Sequence, residues 1–187
     1  MATMMRGANV SLTREIPTLT GVVLGISWDA GSEAALAENL VVAALLCDAD
    51  QRVLSAEHFV FFNQLTSPDL SVSQLEQALG GDDEQIEIAL DQVPPEVSRI
   101  VVILYVNEGS LQRRTLGQLR HCTVRVLNRD GDAELVRSED LAASLAGEMA
   151  ASLGELYRRG DEWKFKVLGQ GYSKGIAGLA ADYGLTL

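Results

Sequence analysis

The sequence predicts a mainly β protein, a two-sheet β-sandwich with a few short helices. Segments of strand length, either continuously apolar or alternating between polar and apolar residues, recur at roughly even spacing along the 187 residues. Helical patterns are few and short, and no repeat, low-complexity tract or linker stands out. Because 47% of the residues are hydrophobic, the chain can bury a full core, and we expect one domain over residues 1–187.

Six segments are predicted to be strands. The continuous apolar runs indicate strands buried in the sandwich, whereas the alternating runs have the period of two that is typical of half-buried strands. Turn-forming Asp and Gly residues follow several of these runs. The predicted strands cover residues 22–26, 41–47, 58–62, 85–90, 100–106 and 123–127.

Two short helices are predicted outside these strands. Ser71 and Gln74 have the spacing of a capping box, and Gly80 would end a helix over residues 72–79. An amphipathic pattern over residues 176–183, followed by Gly184, predicts a helix near the end of the sequence.

The stretch of residues 138–158 is ambiguous. Its leucines and Met149 recur at helical spacing, which taken alone predicts one long helix. Residues 157–167, however, have the pattern of a β-hairpin with Gly160 at its turn.

The charge balance limits the classes of partner. The chain has 15 basic and 26 acidic residues, a net charge of −11, which disfavours nucleic acids and anionic lipids because phosphate binding depends on Lys and Arg. Such a surface is compatible with cations or basic proteins, although acidity also simply promotes solubility. Without a signal-peptide pattern or an apolar run long enough to span a membrane, we expect a cytoplasmic protein.

No motif in the sequence predicts an enzyme. Cys47 and Cys122 lie in apolar runs without metal-ligand spacing, and we expect free buried thiols. His58 and His121 have no partner at ligand spacing, which favours structural roles. A GxSxG motif is absent, and residues 169–172 lack the spacing and the Lys of a phosphate loop, so that a turn is the better interpretation.

Two pairs of adjacent arginines stand apart from the acidic background. Arg113 with Arg114 and Arg158 with Arg159 are expected at the surface, as solvated side chains or as salt-bridge partners of the acidic residues.

Several separate segments, in the same order along the chain, resemble the TerD family of bacterial tellurium resistance and stress-response proteins. Each is a weak signal, but together they cover nearly the whole chain. The matching segments are Trp28-Asp29-Ala30, residues 59–63, Ser67-Pro68-Asp69, residues 81–86, Val93-Pro94 with residues 100–102, Gly117-Gln118, residues 154–158, 163–165 and 169–172.

The resemblance implies a β-sandwich and resolves the ambiguous stretch. In the family, the segment that corresponds to residues 154–158 is a strand, paired in a hairpin with the one that corresponds to residues 163–167. A helix is therefore expected only near residues 141–148. The resemblance also implies a non-enzymatic role in stress response, unidentified protein partners, and calcium binding through Asp and Glu residues clustered in loops.

A calcium site is predicted where acidic residues follow two glycines. Calcium takes six to eight oxygen ligands, and clustered carboxylates repel each other until a cation neutralises them. The segment of residues 80–84 has this composition, and Asp29, at the end of an early strand, is expected to approach it across one edge of the sandwich. The expected ligands of this one calcium ion are Asp29, Asn39, Asp82, Asp83 and Glu84.

The sequence also departs from the family at this site. The family's Asp-Leu-Asp reads Asn39-Leu40-Val41 here, a longer acidic loop is shortened to residues 73–79, and a His-Asp pair appears as Asn107 with Glu108. The departures predict one weakened site instead of two. Two functions follow as hypotheses: a calcium-responsive stress protein, or a TerD-like protein-interaction scaffold that has lost calcium binding.

Overall fold

The structure is a sandwich of two six-stranded sheets, in a computed structural model that describes residues 2–107 and 114–187. The strand order is β1-β10-β9-β3-β7-β6 in the first sheet and β2-β12-β11-β8-β4-β5 in the second. The strands are β1 (Ala2–Met4), β2 (Asn9–Ser11), β3 (Gly21–Asp29), β4 (Leu40–Cys47), β5 (Phe59–Val60), β6 (Val72–Gln74), β7 (Glu84–Ala89), β8 (Arg99–Val106), β9 (His121–Asn128), β10 (Glu134–Ser138), β11 (Ala150–Arg159) and β12 (Glu162–Tyr172). The predicted mainly β sandwich is confirmed.

Three short helices and four single turns of 3₁₀ helix complete the described chain. The helices are α1 (Leu12–Glu15), α2 (Ala34–Glu38) and α3 (Gly175–Asp182), and the 3₁₀ turns are Ala56–His58, Leu90–Gln92, Leu116–Gln118 and Ala142–Leu145. None of the helices in these residues is long and apolar enough to cross a membrane.

The inner faces of the sheets form the main core, and the two outer faces differ. On β3, Leu24 and Ile26 point into the core, whereas Gly25 lies on the outer face opposite Arg125 and Gln85. The outer face of the first sheet is therefore polar. On the second sheet, the outward-facing apolar side chains pack under α3 in a second apolar cluster, which includes Val41, Leu45, Val101, Ile103, Leu179 and Tyr183.

All six predicted strands are present, but the predicted helix over residues 72–79 is wrong. Val72–Gln74 forms β6, and Val72 is fully buried opposite Ile88 of β7. Leu75 continues this contact, because its N–H donates to Gln85 O at 3.0 Å. A helix this short gains few hydrogen bonds of its own, so pairing with β7 and burial of Val72 outweigh the local capping signal.

The ambiguous stretch contains the hairpin and almost no helix. β11 and β12 pair from Ala150↔Tyr172 to Arg159↔Glu162, and Gly160 occupies the turn with φ 62°. The helix expected near residues 141–148 is reduced to the 3₁₀ turn Ala142–Leu145. The helix predicted over residues 176–183 is present as α3.

Candidate functional site

The acidic segment of residues 80–84 is a tight loop that leads into β7. Gly80 and Gly81 have φ values of 71° and 89°, a left-handed conformation that glycine adopts without steric cost. The loop is attached to β3, because the Asp83 N–H donates to Ile26 O at 2.9 Å and Glu84 pairs with Ile26. Asp82 is thereby placed over Gly25 on the outer face of the first sheet, whereas Glu84 shares the inner face with Ile26.

Asp82 is buried in an ion pair with Arg125. Its side chain is only 2% exposed and lies directly over Gly25, where a Cβ atom would come within 2.1 Å of Asp82 Oδ2. The guanidinium binds both carboxylate oxygens: Arg125 Nε is 2.9 Å from Oδ1 and 3.1 Å from Oδ2, and Nη2 is 2.9 Å from Oδ2. Two-point pairing of this kind is the strongest geometry between arginine and a carboxylate.

Two neutral donors complete the surroundings of Asp82. Ser27 Oγ donates to Oδ1 at 3.1 Å, and Gln85 Nε2 donates to Oδ2 at 2.8 Å. The carboxylate of Asp82 is thus neutralised and hydrogen-bonded entirely within the protein.

Arg125 links Asp82 to a second acid and to the loop backbone. Its Nη2 donates to Gly80 O at 3.1 Å, and its Nη1 lies 3.2 Å from Glu134 Oε1. Hydrogen bonding to Asp82 raises the pKa of Arg125 above its usual value, with a further contribution from Glu134. Arg137 hydrogen-bonds Glu134 as well, and this contact is the largest cause of the lowered pKa of Glu134.

Asp83 and Glu84, the other two acids of the loop, are less enclosed. Asp83 is exposed, and its Oδ2 accepts the backbone N–H of Trp28 at 2.8 Å. Glu84 is half-buried, and its Oε2 accepts Gln74 Nε2 at 3.2 Å. Neither forms an ion pair with an arginine or lysine among the described residues.

Asp29 precedes α2 along the chain and Asn39 follows it; the helix lies in the connection between β3 of the first sheet and β4 of the second. Asp29 is the last residue of β3 and is exposed, and its Oδ1 accepts the Gly31 N–H at 2.8 Å. Asn39 ends α2, and its Nδ2 donates to Ala35 O at 2.6 Å. Asp29 follows Trp28, whose backbone N–H donates to Asp83, whereas no hydrogen bond or ion pair of the described residues joins Asn39 to the acidic loop.

The arrangement of these five residues fits a calcium ion poorly. Within residues 2–107 and 114–187, no group of three or more His, Cys, Asp or Glu side chains is placed to hold a metal ion. Asp82 would have to release Arg125 in order to coordinate one. Of the pair that replaces the family's His-Asp, Asn107 is exposed, and Glu108 lies outside the described residues, as does Arg113. The calcium site remains a prediction.

The sequence interpretation missed Arg125 and Gly25, which together build this network. Gly25 interrupts an apolar strand, and a glycine inside a strand often marks the close approach of another group. Arg125 lies at an outward position of β9, a strand that alternates between polar and apolar residues. A charged residue is ordinary at such a position, so nothing in the sequence marks Arg125 as a partner of Asp82. The sequence could therefore have indicated, through Gly25, that another group approaches this strand, but it could not have identified Arg125.

The cysteines are free and buried, as predicted, and each histidine has a polar neighbour. Cys47 and Cys122 are free and fully buried, and burial raises the pKa of each thiol to about 12. His121 Nδ1 lies 3.5 Å from Asp140 Oδ2, and His58 Nδ1 is hydrogen-bonded to Ser55 Oγ at 2.7 Å. Neither thiol is positioned to react as a thiolate at neutral pH.

A second buried carboxylate, Glu155, lies on the face of the second sheet that α3 covers. Only 6% of the residue is exposed, and its Oε1 is 2.7 Å from Arg99 Nη1. Burial raises the pKa of Glu155, although the charges of Arg99 and Lys166 oppose the shift.

The basic pairs follow the expectation except at Arg158, which is half-buried, whereas Arg159 is exposed as a solvated side chain would be. Arg158 donates from Nη2 to Val93 O at 2.6 Å and to Pro94 O at 2.7 Å, and it lies over the ring of Trp163 at 4.6 Å. Its guanidinium therefore fixes the loop before β8. Arg114 forms an ion pair with Glu33, in agreement with the expectation of a salt-bridge partner.

Similar proteins share the whole length of this fold. Residues 1–183 match the family model described as the TerD domain. The chain is 37% identical over 184 residues to the tellurium resistance protein TerD of Serratia marcescens, covering 96% of this chain and 95% of that protein. It is 35% identical over 185 residues to general stress protein 16U of Bacillus subtilis, with coverage of 96% and 95%.

A solved structure supports the architecture. A homologue of the telluride resistance protein TerD from Streptomyces coelicolor superposes with a TM-score of 0.67 at 21% identity, covering 90% of this chain and 99% of that one. At this identity the likeness concerns the fold alone. The family model and the full-length relatives go further, and by them the chain belongs to the TerD family.

Proposed function

We propose that this chain is a non-enzymatic stress-response protein, of the tellurium resistance type, that acts as a protein-interaction scaffold without a calcium requirement in its acidic loop. The stress-response part is supported by the relatives, which are named as tellurium resistance and general stress proteins. The scaffold part is supported by large apolar side chains exposed at one edge of the sandwich, among them Phe62 and Leu70.

The buried pairing of Asp82 with Arg125 is the observation that carries the calcium-independent part. Clustered carboxylates require a counter-charge, and here a guanidinium of the same chain supplies it at 2.9 Å. An ion that entered the loop would have to compete with a charge that is already in place and bonded at both oxygens. On this proposal the loop keeps its folded geometry without calcium.

Calcium-responsive function is the second candidate, and the exposure of Asp29 and Asp83 favours it. Both carboxylates are exposed and are linked through Trp28: Asp83 accepts the backbone N–H of Trp28, and Asp29 is the next residue in the chain. A site with few charged ligands binds calcium weakly, with a Kd of about 10⁻⁴ to 10⁻³ M. Under this reading Asp82 contributes no ligand.

The deciding experiment measures the melting temperature of the chelator-stripped protein in calcium and in excess chelator, together with a calorimetric calcium titration. We expect one melting temperature and no saturable heat up to about a millimolar calcium, the weak end of protein sites. A calcium-dependent rise in melting temperature would overturn the scaffold proposal. An Asp83→Asn, Glu84→Gln variant, which leaves Asp82 intact, would then locate the ion.

The stress role has its own test in living cells. Expression of the chain in a tellurite-sensitive bacterium that lacks its TerD-family protein should restore growth on tellurite. A Cys47→Ser, Cys122→Ser double variant should restore growth equally, provided that its melting temperature is preserved. Loss of protection in a stably folded double variant would indicate thiol chemistry and contradict a non-enzymatic scaffold.

A further inference from the structure

One edge of the sandwich carries half of the strongly exposed apolar side chains of the described residues. β5 ends the second sheet and β6 ends the first, and residues 61–71, here called the crossover segment, connect them. Phe62, Leu65 and Leu70 of this segment are 51%, 41% and 74% exposed. Large exposed apolar groups of this kind on one segment are typical of interaction sites.

Phe62 is exposed but not free to move. Phe61 pairs with Gln64 in a tight turn that places Phe62 at the tip. Its ring contacts that of Phe61 at 5.0 Å, Phe61 contacts the buried Phe59 at 5.0 Å, and Phe59 lies 6.5 Å from Tyr105. The four rings connect the tip to the interior, and a rigid aromatic anchor loses little conformational entropy when it binds a partner.

Leu70 is exposed in a conformation that does not suit it. Its φ is 67°, in the left-handed region that Gly and Asn occupy more easily than leucine. The turn is held by Asp69, whose Oδ1 accepts the Ser71 N–H and the Ser67 hydroxyl, each at 2.8 Å. At 74% exposure the side chain gains little burial in the folded monomer in return for this strain.

The segment of the chain that includes this edge is acidic, and few of its acids are paired with arginine. Residues 53–98 contain nine Asp and Glu residues and no Lys or Arg, whereas residues 99–187 contain twelve basic and eleven acidic residues. Among the described residues, only Asp82 and Glu87 of the nine acids form ion pairs with arginine. The excess negative potential attracts positively charged groups and repels acidic ones.

We propose that the crossover segment is a docking surface for a basic amphipathic peptide segment of a partner protein, in which apolar side chains alternate with Lys or Arg. The apolar side chains contact Phe62, Leu65 and Leu70, and the basic ones face the surrounding acids. The inference rests on the proposed scaffold function and names the chemistry of its partner. A second copy of this chain fits poorly, because two surfaces of the same acidic charge would meet.

Fluorescence anisotropy of labelled synthetic peptides tests the proposal. One peptide alternates leucine and lysine, and the other alternates serine and lysine at the same charge. The leucine peptide should bind at least about tenfold more tightly, as expected for a buried apolar anchor. Phe62→Ser and Leu70→Asn should each abolish that preference. Leu70→Asn should also raise the melting temperature, because asparagine relieves the strain.

Two variants serve as matched controls. Met5→Ser removes a side chain that is 69% exposed elsewhere, and Gln51→Asn relieves a φ of 62° elsewhere; neither should change the binding of either peptide. Equal affinity for both peptides, or equal loss in Met5→Ser and Phe62→Ser, would overturn the proposal. That result would leave the calcium-independent stability of the scaffold untouched, whereas a calcium-dependent melting temperature would overturn the scaffold and not the peptide preference.

Discussion

Each sheet buries one carboxylate on its outer face, and the two carboxylates are neutralised differently. Asp82, over the first sheet, accepts hydrogen bonds from Nε and Nη2 of Arg125 and from two neutral donors. Glu155, under α3 on the second sheet, has one short contact with Arg99, and burial raises its pKa. Burying a charge is tolerable only when every oxygen finds a donor. Asp82 is therefore a structural part of its loop, whereas Glu155 is open to protonation.

Among the variants that test this comparison, removal of Arg125 should cause the largest loss of stability. Arg125→Met leaves Asp82 buried without its counter-charge, and we expect a loss of about 3–5 kcal/mol in the free energy of unfolding, measured in urea. Arg137→Met is the matched control, because Arg137 is 44% exposed and forms its ion pair with Glu134 and not with Asp82; its loss should be about 1 kcal/mol or less. Equal losses in the two variants would contradict the structural role of the Asp82 pair.

The same variant should acquire a response to calcium. Without the guanidinium, the oxygens of Asp82, Glu134 and Gly80 surround the vacated position, and these are ligand types that calcium prefers. Calcium at about ten times its Kd would restore about 1.4 kcal/mol of stability. A calcium titration of the urea midpoint measures the effect, and the unchanged protein, run in parallel, should show no shift.

Gly25→Ala should have an intermediate effect. The new methyl group would come within 2.1 Å of Asp82 Oδ2, and we expect a loss of about 1–3 kcal/mol in the free energy of unfolding from overpacking. In an Asp82→Ala background the clash disappears, so the same substitution should cost little. Urea unfolding of the four proteins forms a double-mutant cycle. Additive losses would show that Gly25 does not make room for Asp82.

Glu155→Gln should have the smallest effect, and one that depends on pH. Because the pKa of Glu155 is raised in the folded protein, the folded state binds more protons than the unfolded state at pH values between about 4.5 and the folded pKa. Its contribution to stability is therefore fully present below pH 4.5 and is lost as the pH rises through the folded pKa. The variant should gain stability relative to the parent over this window, by about 1.4 kcal/mol for each unit of pKa shift.

Urea unfolding of both proteins between pH 4.5 and 8, a window that starts at the ordinary pKa of a glutamate, measures this difference. A difference that stays constant over the whole range would show that Arg99 neutralises Glu155 as completely as Arg125 neutralises Asp82.

Local patterns were sufficient for much of the fold. The buried strands were predictable because a strand that is covered on both faces is apolar throughout, and such a run is visible in the sequence alone. The turn at Gly160 was predictable because glycine adopts positive φ at no cost. The short strands β1, β2 and β10, of three to five residues, were not identified, because so short a strand is defined by its neighbour rather than by its own residues.

The candidate site was predictable only in its location. The sequence placed acidic residues in a loop before β7, and the structure keeps them there. It could not indicate which of Asp82, Asp83 and Glu84 is buried, since that depends on an arginine more than forty positions away and on the gap above Gly25.

By itself, the sequence determined the class of fold, the family and the acidic charge of the chain, because these depend on composition and on patterns between near neighbours. Only the tertiary structure decided how that charge is used. It turned a helical pattern at residues 72–74 into an edge strand and brought Arg125 onto Asp82. It also set Phe62 and Leu70 on the outside of the sandwich. Each of these outcomes depends on contacts between segments that are far apart in the sequence. Such contacts stabilise the protein only once both segments have reached their folded positions.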